Sequence, residues 1–240
     1  MTHLSVNINK IATLRNARGG NVPDLIDFAL KIENYGANGI TIHPRPDERH
    51  IRYDDVFELK KIIKTELNIE GNPKEDKFVQ LVLDALPDQV TLVPDSNDQL
   101  TSDHGWDTIS EIKFLKETIE VFKSKGIRSS IFVDADPNMV SGAADTGTDR
   151  IELYTENYAK EYLIDPKKAI DPFVNAALKA NELNIEINAG HDLDLKNLNY
   201  FSKNIKGLKE VSIGHALISD ALLYGMETTI KKYLLELNRS

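Results

Sequence analysis

The sequence predicts an α/β fold, a closed (β/α)8 TIM barrel with extra short helices, in one domain over residues 1–240. Three observations point to it. Eight short β-signals alternate with amphipathic helical signals at a spacing of roughly 30 residues, as parallel strands joined by crossover helices require. The length of 240 residues suits one such barrel. No Ser/Gly/Pro-rich or low-complexity run offers a linker between two smaller domains. An open doubly wound sheet is the alternative, but its usual markers, a Gly-x-Gly-x-x-Gly turn or a Walker-type phosphate loop, are absent.

Residues 4–9 alternate apolar with polar and read as the first strand, followed by a polar loop over 15–21. Pro23 opens a helix with Leu25, Ala29 and Ile32 on one face and Gly36 at its C-terminal cap. Residues 39–43 form the second strand, halted by Pro44 and Pro46. Asp54 then caps a helix carrying Val56, Leu59, Ile62 and Ile63. Residues 67–70 are the third strand, and Asn72 with Pro73 at the first helical position starts the helix of Phe78, Leu81, Val82 and Ala85. The fourth strand, 90–93, is closed by Pro94, and a long polar loop to Trp106 leads to a helix with Ile112, Leu115, Ile119 and Phe122. Residues 130–133 are the fifth strand, with a short helix running toward Gly147. The sixth strand is 150–154, and the irregular stretch 155–171 is expected to hold an extra helical turn before the helix of Phe173, Ala176, Ala177 and Ala180. Residues 185–188 and 211–213 are the seventh and eighth strands, separated by a helix with Leu195 and Leu198. A single C-terminal helix carries Leu222, Ile230 and Leu234.

The formal charge of −9, from 29 Lys+Arg against 38 Asp+Glu, makes the surface repel nucleic acid and anionic membranes, so neither is expected as a partner. An anionic substrate therefore needs a local basic cluster, and residues 43–50 with Arg15 and Arg18 are the best one. Cysteine is absent, which excludes disulfides, thiolate nucleophiles and Cys-zinc sites and agrees with a reducing cytosol. The N-terminus lacks the pattern of a signal peptide, and no apolar run approaches the ~20 residues of a membrane span. A soluble cytoplasmic protein is expected.

In a barrel the chemistry sits at the C-terminal ends of the strands. In chain order the predicted ends present Asn7 and Asn9, His43 and Arg45, Glu70, the loop with Thr101, Asp134, Glu152, His191, and Gly214 with His215. Of the 6 histidines, His43, His50, His191 and His215 fall in loops on this one face, whereas His104 reads as a structural or surface residue. Arg45, between two prolines that fix its backbone, suits a bidentate phosphate or carboxylate contact. Arg49 and Arg52 fit equally well a solvated loop balancing Asp47, Glu48, Asp54 and Asp55. Burial of Glu70 near the barrel axis would raise its pKa and make it a base near neutrality; otherwise it pairs with a barrel cation. Glu152 either orients a neighbour or balances a buried cation. Gly190 and Gly214 follow strands seven and eight, where barrels hold phosphate on backbone N–H groups. No His-x-x-x-His or Glu-x-x-His pair exists, so no catalytic metal is expected, and a Schiff-base lysine lacks a good seat, Lys10 being the only nearby candidate.

Residues 6–19 (Val-Asn-Ile-Asn-Lys-Ile-Ala-Thr-Leu-Arg-Asn-Ala-Arg-Gly), 39–43 with Arg45 and 49–51, Asn-Ala-Gly-His at 188–191 and Ile-Gly-His-Ala at 213–216 resemble the pyridoxine 5′-phosphate synthases of deoxyxylulose-dependent vitamin B6 biosynthesis. The resemblance spans nearly the whole chain. It implies a cofactor-free barrel enzyme that condenses 1-deoxy-D-xylulose 5-phosphate with 3-amino-2-oxopropyl phosphate, releasing phosphate and water as the pyridine ring closes. By the same resemblance, His43 and Glu70 match general bases, His191 the general acid and Glu152 a residue that stabilises the transition state. Asn7, Arg18, Gly214 and His215 match contacts to the amino ketone phosphate; Arg45, His50 and Thr101 match contacts to the deoxyxylulose phosphate. Asn9 and Lys10 stand where many members carry Asp-His, and Asp192 replaces a glycine that contacts substrate through its backbone. The family assembles as a homo-octamer. Proton transfers on two dianionic substrates need several acids and bases and two anion pockets, whereas a one-substrate isomerase or aldolase needs one pocket, and a non-catalytic metabolite-binding barrel needs no acid–base cluster.

Overall fold

The computed structural model describes residues 1–96, 99 and 101–239. Eight parallel strands close on themselves in chain order: β1 (His3–Asn7), β2 (Gly39–Ile42), β3 (Glu66–Gly71), β4 (Gln89–Leu92), β5 (Arg128–Val133), β6 (Arg150–Tyr154), β7 (Glu186–Gly190) and β8 (Leu208–Ile213), which pairs back with β1. Around them stand α1 (Asn9–Asn16), α2 (Leu25–Asn34), α3 (Tyr53–Ile62), α4 (Asp76–Ala85), α5 (Ile112–Lys123), α6 (Pro137–Thr146), α7 (Glu156–Tyr162), α8 (Pro166–Glu182), α9 (Leu198–Asn204), α10 (His215–Tyr224) and α11 (Met226–Asn238). The fold is the (β/α)8 barrel that the alternation predicts.

Side chains alternate across a strand, and here the alternation divides two chemistries. Leu4, Val6, Ile40, Ile42, Leu67, Ile69, Val90 and Leu92 face outward into the apolar stripes of the helices and form the main core. The intervening positions face the lumen and are mostly polar, with Phe132 and Tyr154 as apolar exceptions near the mouth. Ser5 and Thr41 hydroxyls are 2.7 Å apart, and the Thr91 hydroxyl donates to Asn68 Oδ1 at 3.0 Å. Below them, Arg150 donates to Glu186 at 2.9 Å and lies 3.9 Å from both Glu66 and Glu210. The hydrophobic core therefore sits between sheet and helices, while the lumen is a column of hydrogen-bonding groups leading to the mouth.

Several boundaries differ from the sequence reading. Residues 9–16 are a helix, not the tail of a strand and a loop: Ile11, Ala12 and Arg15 are its buried face, and its polar composition hid the pattern. The cap of α2 is Asp24, whose carboxylate accepts from the N–H groups of Ile26 and Asp27. Arg52, not Asp54, is the N-cap of α3, and Asp55 reaches back to accept its N–H at 2.7 Å. Asn72 and Pro73 make a turn in which Asn72 Oδ1 accepts from Lys74 N–H, so α4 starts only at Asp76. The stretch 155–171 contains α7 and the first turns of α8, with Pro172 inside the latter. Leu195 precedes α9, and Gly225, at φ 77, divides the expected C-terminal helix into α10 and α11.

Candidate active site

At the C-terminal mouth a cavity of about 550 Å³ is lined by Asn7, Asn9, Lys10, His43, Arg45, His50, Glu70, Thr101, Glu152, His191, Asp192, Gly214 and His215, along with Arg49 and Glu156. Of the residues chosen from the sequence for substrate or chemistry, Arg15 and Gly190 lie outside this lining, as does Arg18, which is exposed in the turn after α1. Asp134, at the end of β5, also lies outside the lining. A larger groove of about 830 Å³ runs between α6 and α8, but it holds no histidine, and its Lys168, Asp171 and Glu182 are exposed. Among the described residues no group of three His, Asp or Glu stands in position to hold a metal ion.

The end of β1 builds the first wall. Asn7 Oδ1 accepts the N–H of Asn9 at 3.0 Å, and Asn7 Nδ2 donates to Glu70 Oε2 at 3.3 Å. Asn9 Oδ1 accepts the backbone N–H of His43 at 2.9 Å, so the two asparagines fix the neighbouring strand end and the carboxyl beyond it. His43 Nδ1 lies 3.9 Å from Glu70 Oε2, too far for a direct hydrogen bond but close enough for both to serve one substrate.

Electrostatics separates the roles of these groups. Burial, followed by the charges of Arg45, His50 and Arg49, holds the His43 imidazole well below its usual 6.5, so it is neutral and able to accept a proton. Burial likewise lowers His50 to about 4, and its Nδ1 accepts the N–H of Ile51 at 3.0 Å, leaving Nε2–H as a donor into the cavity. Burial pushes Glu70 up to about 8, with Asp95 adding to the rise and Arg45 opposing it. Glu152 is raised well above its usual value by burial and then by Glu70 and Glu210. Its buried neighbours are carboxyls, which disfavours the role of balancing a cation, and its Oε2 has no hydrogen-bond partner among the described residues.

The far wall is His191, where the backbone turns left-handed at φ 84, followed by Asp192 at φ 58. The Thr155 hydroxyl donates to the carbonyls of Gly190, at 2.7 Å, and His191, holding this turn. His191 Nε2 is 3.0 Å from the Thr101 hydroxyl, its Nδ1 is 3.2 Å from Asp192 Oδ2, and its ring meets Tyr154 edge-on at 5.1 Å. Gly190 has a packing reason to be glycine, since a Cβ there would lie 2.3 Å from Glu152 Oε1. Gly214 ends β8 against Asn7 and gives the N-terminus of α10, with His215 exposed at its first turn.

Two arginines depart from the sequence reading. Arg15 is 2% exposed and bidentate to Asp55 at 2.7 and 2.8 Å, so it ties α1 to α3 and is not part of the basic cluster. Arg52 donates to Asn16 outside the cavity, whereas Arg49 lines it. Sequence reasoning also missed Val93, Phe132 and Tyr154, an apolar patch beside the mouth. Counting by two from the lumen positions Thr91, Ser130 and Glu152 finds all three.

Comparison with known proteins follows the same lines. The model of the family described as pyridoxal phosphate biosynthesis protein PdxJ matches residues 4–239. Pyridoxine 5′-phosphate synthase of Cytophaga hutchinsonii is 62% identical over 239 residues, covering 100% of both chains. The enzyme of that name from Flavobacterium johnsoniae is 61% identical over 237 residues, or 99% of this chain and 100% of its own. Among solved structures, 3-keto-L-gulonate-6-phosphate decarboxylase from Vibrio cholerae superposes with a TM-score of 0.68 at 12% identity, over 99% of this chain and 98% of that one. N-(5′-phosphoribosyl)anthranilate isomerase from Pyrococcus furiosus gives 0.65 at 12% identity over 100% of both chains. These two likenesses establish the barrel alone. The family match and the full-length relatives go further: the chain belongs to the PdxJ family of pyridoxal phosphate biosynthesis proteins.

Proposed function

We propose that the protein is a pyridoxine 5′-phosphate synthase, condensing 3-amino-2-oxopropyl phosphate with 1-deoxy-D-xylulose 5-phosphate to give pyridoxine 5′-phosphate, phosphate and water by general acid–base catalysis. The observation that carries this reading is the convergence of His43, Glu70, Glu152 and His191 on one cavity bordered by cations and donors on two sides. Arg45, Arg49 and the His50 Nε2–H form one border, suited to the deoxyxylulose phosphate together with Thr101. Lys10, Gly214 and His215 at the start of α10 form the other, where N–H groups at a helix N-terminus favour an anion. Asn7 sits on this side and Arg18, from the turn after α1, is assigned to the same phosphate by family position.

Neutral His43 and the Glu70 carboxyl, titrating near 8, are the proton acceptors for imine formation and the enolisations. His191 donates to the leaving oxygen, with Thr101 and Asp192 holding its ring. Glu152, kept protonated by burial, donates a hydrogen bond where negative charge develops. Asn9 places His43 and Asp192 offers its backbone to substrate. The chain works without a cofactor, in the cytoplasm, as a homo-octamer. Among the described residues no helix is long and apolar enough to cross a membrane. Incubation of the pure protein with both phosphorylated substrates should yield pyridoxine 5′-phosphate, read by ultraviolet spectrum and mass. Absence of product with both substrates intact overturns the assignment, and size-exclusion chromatography with light scattering tests the octamer.

A further inference from the structure

We propose that Asp95 is a positioning residue for this reaction: it orients the Arg45 guanidinium toward the cavity and, through the same ion pair, governs the protonation of Glu70. The proposal rests on the assignment of Glu70 as a proton acceptor.

Asp95 follows β4 and Pro94, is 3% exposed, and does not line the substrate cavity. It faces a narrow cleft shared with Arg45, Asn72 and Phe78. Its Oδ2 accepts from Arg45 Nη2 and, at 2.8 Å, from the Ser102 hydroxyl, while its carbonyl accepts from Asn72 Nδ2 at 2.9 Å. Oδ1 is buried with no hydrogen-bond partner among the described residues. Arg45 is 5% exposed, and among the described residues its guanidinium's other hydrogen bond is a long one, 3.5 Å to the Ser96 carbonyl. Asp95 therefore does most of the work of placing a guanidinium that reaches the cavity wall. Buried ion pairs add little net stability, because desolvation of both charges offsets their attraction. What such a pair does supply is a fixed direction for the planar fork of the arginine.

The same carboxylate acts on Glu70. Asn7 Nδ2 donates to Glu70, His43 Nδ1 lies 3.9 Å from it, Arg45 and Glu152 line the same cavity, and Asp95 lines the adjoining cleft with Arg45 and Gly71, the residue after Glu70. Asp95 compensates the charge of Arg45 and brings a like charge toward Glu70, and both effects hold the proton on Glu70. With Asp95 neutral, Arg45 would keep its full charge beside Glu70 and stabilise the carboxylate, leaving a weaker base. Asp95 touches neither substrate nor the reacting atoms in this arrangement, and acts through Arg45 and Glu70.

Asp95→Asn keeps the shape and removes the charge, and Asp95→Glu keeps the charge and moves it. Glutamate carboxyl ¹³C NMR, with the Glu70 signal assigned by Glu70→Gln, should show its midpoint falling by about one pH unit in Asp95→Asn and returning in Asp95→Glu. The KM for 1-deoxy-D-xylulose 5-phosphate should rise about tenfold in both, since neither holds Arg45 in place. An unmoved Glu70 midpoint in a folded Asp95→Asn, or a loss of kcat with midpoint and KM unchanged, overturns the proposal. If the wild type forms no product, the synthase assignment fails by itself, and the NMR midpoint still decides whether Asp95 controls Glu70.

Discussion

Glu152 shows how a single absent side chain shapes this site. Its carboxyl packs on the bare backbone of Gly190, where a Cβ would stand 2.3 Å from Oε1, and the Ser212 carbonyl on the other side leaves no room to yield. Gly190→Ala should therefore push Glu152 out of register and lower kcat by about 10²-fold, the size of an acid–base contribution. A steady-state assay checks it, and in a Glu152→Ala background the added methyl should cost little. Glu70→Gln and His191→Asn should each lose turnover by about 10²-fold or more while substrate binding, measured by calorimetry, survives. With Glu70 assigned as a proton acceptor and raised to about 8, kcat should climb with pH through that value, and this limb should vanish in Glu70→Gln. At this scale the lining of the candidate site was largely legible: His43, Glu70 and His191 stand at β-signals that end in Pro or Gly, and the three meet in one cavity. Arg15 was not, because nothing local distinguishes an arginine facing Asp55, 40 residues away, from one facing solvent.

At the scale of elements, capping decided where reading by residue type succeeded. Asp136 before Pro137, and Gly147 at φ 80, bound α6 where the sequence placed it. The caps of α3 and α4 escaped because Asp54 and Asn72 had the right chemistry at the wrong position. In α8, Asp165 accepts from the N–H groups of Lys167 and Lys168, both at 3.1 Å, ahead of Pro166 at the first helical position. Asp165→Ala should cost about 1 kcal/mol. A circular dichroism melt should fall by roughly 2–4 °C at this chain length, with kcat unchanged because α8 stands outside the cavity.

For the whole molecule, the polar lumen sets the dependence of stability on pH. Glu70 and Glu210 are both raised to about 8 by burial, so the folded state holds protons that the unfolded chain releases from 4.5 upward. His43 and His50 are lowered from 6.5, so they favour folding as pH rises to that value and oppose the carboxyls there. Above 6.5 only the carboxyls act, and the melting temperature should fall between 6.5 and about 8. Each group contributes about 1.4 kcal/mol per pH unit in that window. Glu210→Gln should make the fall shallower in scanning calorimetry at several pH values. A slope unchanged by the substitution would mean that Glu210 is ionised in the fold.

By itself the sequence determined the barrel, the positions of its eight strands and the identity of most residues at its mouth, because strand period, helix stripe and Pro/Gly stops are local properties of the chain. Only the tertiary structure decided which cations are spent on carboxylates, as Arg15 is on Asp55, and which face the cavity. It alone brought Asp95 to Arg45 from 50 residues away and Glu152 against Gly190. Burial and pairing are set by closure of the sheet, and with them the proton affinities on which the chemistry depends.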